Sequence, residues 1–319
     1  MSFGSSDWQD WVLNEHEALP LLKHAYDKGL NTWDTADVYS NGRSEEIIGK
    51  ALQEYKIPRS KVVLLSKCYF GVDEDGTQPW AIGRSNDGPY VNQIGLSRKH
   101  ILDAVDNSVR RLGTYIDVLQ IHRLDRETPM EEVMRALNDV VESGKVRYLG
   151  ASSMAAWEFQ MLQNIADRHG WHRFISMQNY YNLIYREEER EMIPYCKASG
   201  VACIPWSPVA RGVLARPWGS RDTVREKSDH FLQSLIRKRE TDTDEMIVKR
   251  VEELAKKRDV GMAKIATAWV LKKQGIYPII GLSSTERIDQ AVEAVSFELS
   301  DEEARYLEEP YMPKQISGY

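Results

Sequence analysis

Short apolar runs alternate with longer amphipathic stretches along almost the whole chain. The runs "LNTW" (30–33), "VVLL" (62–65), "IDVLQI" (116–121), "VRYLGA" (146–151), "FISMQ" (174–178), "VACIPW" (201–206) and "IYPIIG" (276–281) each predict a buried strand. Between them, "SEEIIGKALQEY", "SRKHILDAVDNSVRRLG", "TPMEEVMRALNDVVESGK" and "REEEREMIPYCKASG" place apolar residues three and four apart, the period of a helix with one buried face. Ser44 and Thr128 read as helix caps, Pro129 as a first helical residue, and Gly113 and Gly144 as stops. Strands alternating with helices in this way predict parallel pairing through right-handed crossovers. A polar segment, 210–245, interrupts the alternation, and a connection of that length reads as a lid or an insertion. Its run Arg237, Lys238, Arg239 is expected to be a solvated face. No break in composition marks a boundary, so 1–319 reads as one domain ending in a C-terminal segment, 298–319.

The residues at the C-terminal end of each run decide between an open sheet and a closed barrel. Asp34 and Tyr39 come after the first, Lys67 after the second, His122 after the third, and Ser152 with Ser153 after the fourth. Gln178 and Asn179, Trp206 and Ser207, and Ser283 and Ser284 close the later ones. Chemically competent residues at the end of strand after strand are the pattern of a (β/α)8 TIM barrel, whose strand ends share one mouth. An open doubly wound sheet would gather its ligands at one switch point and would show GxGxxG after a strand, which this chain lacks.

Composition narrows the partners. With 42% hydrophobic and 28% charged residues, a net charge of -6 and a pI near 5.8, the chain has neither the basic field of a nucleic-acid binder nor an apolar span for a membrane. Cys68, Cys196 and Cys203 show no metal spacing, which suits reduced thiols in the cytoplasm and predicts no metal.

Taken singly, Asp34 and Asp37 also serve as turn carboxylates, His122 as a core histidine, Lys67 as a strand-end lysine and Trp206 as packing. Convergence on one face changes the reading. A phenol with an ordinary pKa of about 10 is a weak acid at neutral pH, and an adjacent ammonium lowers that value. Lys67 is expected to act on Tyr39 in this way, with Asp34 keeping the lysine charged and His122 bonding a substrate oxygen. Such a group stabilises an oxyanion and delivers a proton to it, as carbonyl reduction requires, while the hydride must come from a nicotinamide cofactor. Asp37 is left as a loop residue of the pocket wall. Trp8, Trp11, Trp80, Tyr90 and Trp218 fall on predicted loops, where they either pack or line a pocket for an aromatic carbonyl.

The segments "WDTADVY", "VVLLSK" and "IDVLQIH" resemble the aldo-keto reductase superfamily, and "YLGASS", "MQNYYN", "WSPVARGVL" and "IIGLSSTERID" extend the resemblance along essentially the whole chain. It implies a barrel that binds NADPH across its mouth, with Tyr39 as general acid, Lys67 and Asp34 tuning it and His122 orienting the carbonyl of a small-molecule substrate. It also implies Ser152, Ser153 and Gln178 at the nicotinamide carboxamide, Trp206 stacked on the ring, and Ser207, Val209, Gly212 and Leu214 along the pyrophosphate under a lid formed by 210–245. Arg287 and Ser283 offer donors suited to a 2'-phosphate, favouring NADPH, and Gln290 with Ala291 stands where many relatives carry a Glu-Asn pair. Relatives open with a hairpin and a first strand before the segment resembling "MSFGSSDW". Only the end of strand one is therefore expected here, leaving a truncated strand and a gap. The C-terminal "YLEEPYMPKQISGY" is similar to fungal reductases of the hemiacetal acetate reductase type, which implies an aldehyde, ketone or hemiacetal of secondary metabolism. The alternatives are a non-enzymatic NADPH-binding regulatory barrel and an inactive shortened form.

Overall fold

A computed structural model describes residues 1–73 and 86–319, and Trp80 lies outside the described residues. The chain forms two compact units, Met1–Met177 with Tyr319, and Gln178–Gly318.

The first unit begins with β1 (Phe3–Gly4) paired in parallel with β2 (Leu13–Asn14), followed by α1 (Glu15–Asp27). Then β3 (Thr32–Asp34), α2 (Arg43–Glu54), β4 (Val63–Cys68), α3 (Arg98–Leu112), β5 (Ile116–Ile121), α4 (Met130–Glu142), β6 (Val146–Ser152), α5 (Ala156–His169) and β7 (Phe174–Gln178) alternate as the pattern predicts. These strands lie side by side in sequence order, with β3–β4, β4–β5 and β5–β6 all parallel. The remnant expected of strand one corresponds to β1, which pairs with β2 and not with β3.

Local sequence explains the elements. In α4 the buried residues Val133, Met134, Ala136, Leu137 and Val140 recur at helical spacing, and burying each large side chain contributes about 1.5–3 kcal/mol. β5 is apolar enough to be buried on both faces, as parallel strands under helices require. Ser97 caps α3 by accepting from the His100 amide, and the helix stops at Gly113 with φ 67°, a left-handed turn that glycine adopts without strain.

Two expected caps are corrected. The N-cap of α2 is Gly42, not Ser44, because the Ser44 hydroxyl is buried inside the helix and accepts from Thr35 Oγ1 at 3.0 Å. Pro129 takes the cap position of α4, one residue before the first turn, because the Thr128 hydroxyl donates to Asp125 Oδ2 at 2.6 Å.

Register places one row of residues across three strands. Lys67 pairs with Gln120, and Gln120 with Gly150. A Cβ at Gly150 would lie 2.7 Å from Ser176 Oγ and 2.9 Å from Gln120 Cγ, so only glycine fits in the row.

The second unit contains α6 (Met192–Ser199), β8 (Ala202–Cys203), α7 (Val224–Ser228), α8 (His230–Leu235), α9 (Asp242–Lys257), α10 (Met262–Leu271), α11 (Thr285–Val295) and α12 (Asp301–Glu308). The run 276–281 forms no named strand and joins through single parallel bridges, Cys203 to Ile276 and Trp206 to Ile279. Prolines explain this, since Pro278 within the run and Pro205 in the run 201–206 each remove a ladder donor.

The polar stretch 210–245 is largely helical, not an open loop, and ion pairs hold it. Arg237 is 5% exposed and grips Glu226 through Nε at 2.5 Å and Nη2 at 2.9 Å, and also bonds Glu240. The expected solvated face therefore holds for the exposed Lys238 and Arg239 but not for Arg237. Trp218 takes the packing alternative and carries the guanidiniums of Arg221 and Arg237, each 5.6 Å from its ring.

Candidate active site

In the first unit the backbone ladder runs past the strand ends and fixes the residues beyond them. The Thr35 amide bonds Leu65 O at 2.9 Å, Asp37 bonds Lys67 O at 3.2 Å, and His122 bonds Cys68 O at 3.0 Å. Tyr39 then turns through Ser40, Asn41 and Gly42, all at positive φ, before α2 begins.

These turns bring Asp34, Tyr39, Lys67 and His122 together. Lys67 Nζ, 1% exposed, donates to Asp34 Oδ1 at 2.5 Å and to the Thr35 carbonyl at 2.8 Å. Its ammonium lies 5.1 Å from the centre of the Tyr39 ring. The His122 ring meets Tyr39 edge-on at 5.7 Å and Phe70 at 5.1 Å. Trp8 packs on Tyr39 at 6.2 Å, and Trp11 and Phe70 pack against the same cluster. Tyr90 sits against Gly71, where a Cβ would meet its ring at 2.9 Å.

Electrostatics assigns protonation states. Burial pushes the Lys67 ammonium toward neutrality, but Asp34 and then Tyr39 more than offset this, so its pKa lies above the ordinary lysine value. Burial, Lys67 and Arg123 hold His122 well below the usual histidine range, leaving a neutral imidazole whose buried Nδ1 has no partner among the described residues. Tyr39 departs from expectation. Burial raises its pKa by more than Lys67 lowers it, and Asp34 cancels part of the lysine's effect, so Tyr39 stands as a protonated phenol with the ammonium beside its ring.

Residue pattern did not identify two participants. Gln120, fully buried, donates through Nε2 to Asp34 Oδ2 at 2.9 Å, so both oxygens of Asp34 are held. The available signal was its place two residues before His122, on the same strand face. Asp37 is a buried carboxyl rather than an open loop residue. Oδ1 accepts from the Val38 amide at 2.6 Å and Oδ2 has no partner among the described residues, and burial with the nearby Glu45 raises its pKa well above the carboxylate range.

At the end of β6, Ser152 and Ser153 lie with hydroxyls 3.5 Å apart, and Ser153 adopts φ 50°. In the second unit, Gln178 is buried, and Trp206 stacks on Tyr180 at 4.4 Å and 19°. Beyond it the chain passes through left-handed conformations at Ser207, Ala210, Arg211 and Gly212, a tight turn that also contains Val209 and Leu214. Arg211 offsets this strain through a buried pair with Asp229, Nε to Oδ2 at 2.8 Å. Arg287 Nη1 donates to Ser283 Oγ at 2.6 Å, while Gln290 turns to Glu286 on α11 at 3.2 Å.

Arg216 and Arg225 were missed because they sit in the polar stretch read as a lid. Burial and then Arg287 hold Arg216 below the ordinary arginine value, and burial with Arg211 pushes Arg225 down to about 10. Arg225 already shares Asp229 with Arg211, at 2.9 Å, whereas Arg216 has no carboxylate partner among the described residues and lies in the field of Arg287, so an anion beside it would be stabilised and this donor set fits a phosphorylated cofactor.

Comparison with known proteins agrees with this chemistry. The family model described as "Aldo/keto reductase family" matches residues 1–311. A versiconal hemiacetal acetate reductase of Aspergillus parasiticus is 67% identical over 318 residues, spanning 99% of this chain and 93% of that protein. A protein of Schizosaccharomyces pombe provisionally named an aryl-alcohol dehydrogenase is 56% identical over 328 residues, spanning 100% of this chain and 92% of its own. An aldo-keto reductase of Fusarium vanettenii is 52% identical over 329 residues, spanning 100% and 88%. No helix among the described residues is long and apolar enough to cross a membrane. With the match running almost from end to end and relatives more than half identical throughout, the protein belongs to the aldo/keto reductase family, as a (β/α)8-barrel oxidoreductase that reduces carbonyl groups to alcohols with NADPH.

Proposed function

We propose that Tyr39 is the proton donor of this reduction, in a site completed by Lys67, Asp34 and His122. The observation that carries the proposal is the buried phenol whose ring lies 5.1 Å from an ammonium that Asp34 keeps charged. NADPH, when bound, supplies the hydride. The chain's own residues manage the negative charge that appears on the substrate oxygen. His122 is neutral, so its ring can hold that oxygen by a hydrogen bond without donating a full proton. Tyr39 gives up its proton, and Lys67 stabilises the phenolate left behind in surroundings where water does not screen the attraction. Reprotonation of Tyr39 from solvent resets the site.

Ser152, Ser153 and Gln178 would hold the nicotinamide carboxamide, and Trp206, backed on one face by Tyr180, would support the ring. The turn through Ser207, Val209, Gly212 and Leu214 would follow the pyrophosphate, with Arg216, Arg287, Ser283 and Gln290 toward the 2'-phosphate and adenine. The stretch 210–245 would cover the cofactor, and 1–319 would act as one barrel domain. The acidic net charge supports a small-molecule partner over a nucleic acid, and three buried free cysteines suit the cytoplasm. The names of the relatives support an aldehyde, ketone or hemiacetal-derived carbonyl on an aromatic framework, and the rings of Trp8, Trp11 and Phe70 beside Tyr39 agree with that.

Tyr39→Phe tests the assignment. Turnover of a reactive aromatic aldehyde falls ~10²–10⁴-fold, the usual contribution of a general acid, while NADPH binding followed by fluorescence is unchanged. Wild-type turnover in the variant would remove Tyr39 from this role.

A further inference from the structure

Arg123 is a guanidinium of the first unit that the reaction above does not use. It follows His122 directly, and its Nη1 donates to the His122 carbonyl at 2.6 Å. Among the described residues this is its one hydrogen bond, and no carboxylate pairs with it. Three other arginines of the unit are treated differently. Arg59 is matched to Asp117 at 2.5 Å, Arg111 to Glu45 at 2.7 Å, and Arg126, three residues on, grips Glu158 by two bonds.

Arg123 is half-buried, and burial disfavours its charge while the phenols of Tyr39 and Tyr69 oppose that effect. A cation that loses water without gaining a counterion is costly, and a protein keeps one where a ligand supplies the anion. The surroundings suggest which ligand. Tyr69 meets Phe70 at 5.0 Å, Phe70 meets His122 at 5.1 Å, and His122 meets Tyr39 at 5.7 Å. One continuous set of aromatic edges therefore runs from the proton donor through His122, whose carbonyl Arg123 bonds, to Phe70 and Tyr69.

We propose that Arg123 determines specificity by binding an acidic oxygen substituent on an aromatic carbonyl substrate, with carboxylate-bearing aryl aldehydes as the class tested. The inference rests on the assignment of Tyr39 as proton donor, because that residue fixes where the carbonyl lies.

The experiment compares 4-formylbenzoate with its uncharged methyl ester in wild type, Arg123→Gln and Arg123→Lys. Calorimetric binding of the product 4-(hydroxymethyl)benzoate to the NADP-loaded protein is measured alongside. Charge-assisted bonds of this kind are worth ~10–100-fold. Wild type should prefer the acid over the ester by at least ~10-fold in kcat/KM, through KM, and Arg123→Gln should bring the ratio to about one and weaken product binding ~10-fold or more. Arg123→Lys, which keeps the charge and loses the planar fork, should keep part of the preference. Absence of a preference in wild type overturns the proposal. So does an equal loss on both substrates in Arg123→Gln, which would mark Arg123 as general support for Tyr39. Arg123-dependent product binding in a protein that reduces neither aldehyde would sustain the Arg123 assignment and reject that of Tyr39.

Discussion

Asp34→Asn isolates what the buried ion pair contributes. The substitution keeps shape and removes charge. Both carboxylate oxygens accept hydrogen bonds, one from Lys67 at 2.5 Å and one from Gln120 at 2.9 Å, so whichever way the new amide turns, its NH₂ faces a donor. Lys67 is left 1% exposed with the Thr35 carbonyl as its remaining strong acceptor. Breaking one side of a buried pair costs about 3–5 kcal/mol. Unfolding entropy of about 2.1 cal/mol/K per residue over 319 residues converts this to a fall of roughly 5–7 °C in Tm. A protein of ordinary stability survives the loss, so activity remains measurable. The pair also has a pH signature. Lys67 has a folded pKa above its ordinary 10.5, so its contribution is complete below that value and is lost as pH rises through the folded one. Without Asp34 that alkaline boundary moves down, and turnover of the variant should fall further behind wild type at pH 9 than at pH 7. Differential scanning calorimetry and a kcat profile from pH 6 to 10 are the assays. A Tm within about 1 °C of wild type, together with superimposable profiles, would refute the reasoning.

Asp37→Asn should stabilise the protein increasingly as pH rises. The raised folded pKa of Asp37 means that the unfolded chain releases its proton first above 3.8, so the native state loses ground with pH, and the asparagine removes a penalty of about 1–3 kcal/mol. Urea denaturation at pH 4.5 and 7.5 checks this, and an equal effect at both would show that Asp37 is ionised in the fold. Arg287→Ala should weaken NADPH binding ~10–100-fold and NADH binding much less, read by fluorescence titration. Equal losses for the two cofactors would exclude a phosphate contact.

The alternation of runs revealed the parallel strands because most residues of β4, β5 and β6 are buried and apolar, with the exposed positions gathered near the start of β4 and β6. The convergence of Asp34, Tyr39, Lys67 and His122 was legible because each follows a strand of one parallel set, although each taken singly has an ordinary structural use. Gln120 was not, because a glutamine inside an apolar strand becomes informative only when the register across to Lys67 is known. The sign of the shift on Tyr39 also needed the structure. Lys67 pulls in the expected direction, but desolvation is larger, and depth of burial is not a property of residue spacing. Arg237 was misread because a run of three basic residues gives no hint that Glu226 and Glu240 fold back onto its first member.

The row Lys67, Gln120, Gly150 has a consequence for how the protein becomes active. Every strand pair in the row is parallel and is closed through a helix, so none of these contacts is local in sequence. Helices can form early from their own periodicity, whereas the lysine meets Asp34 and Gln120 only after β3, β4 and β5 have zipped together. A slip of one residue would preserve the backbone ladder yet rotate Lys67 to the opposite face and drive Gln120 away from the gap at Gly150. The steric intolerance of that glycine thus penalises misaligned pairing, and the contact of Lys67 with Asp34 belongs to the correct register alone.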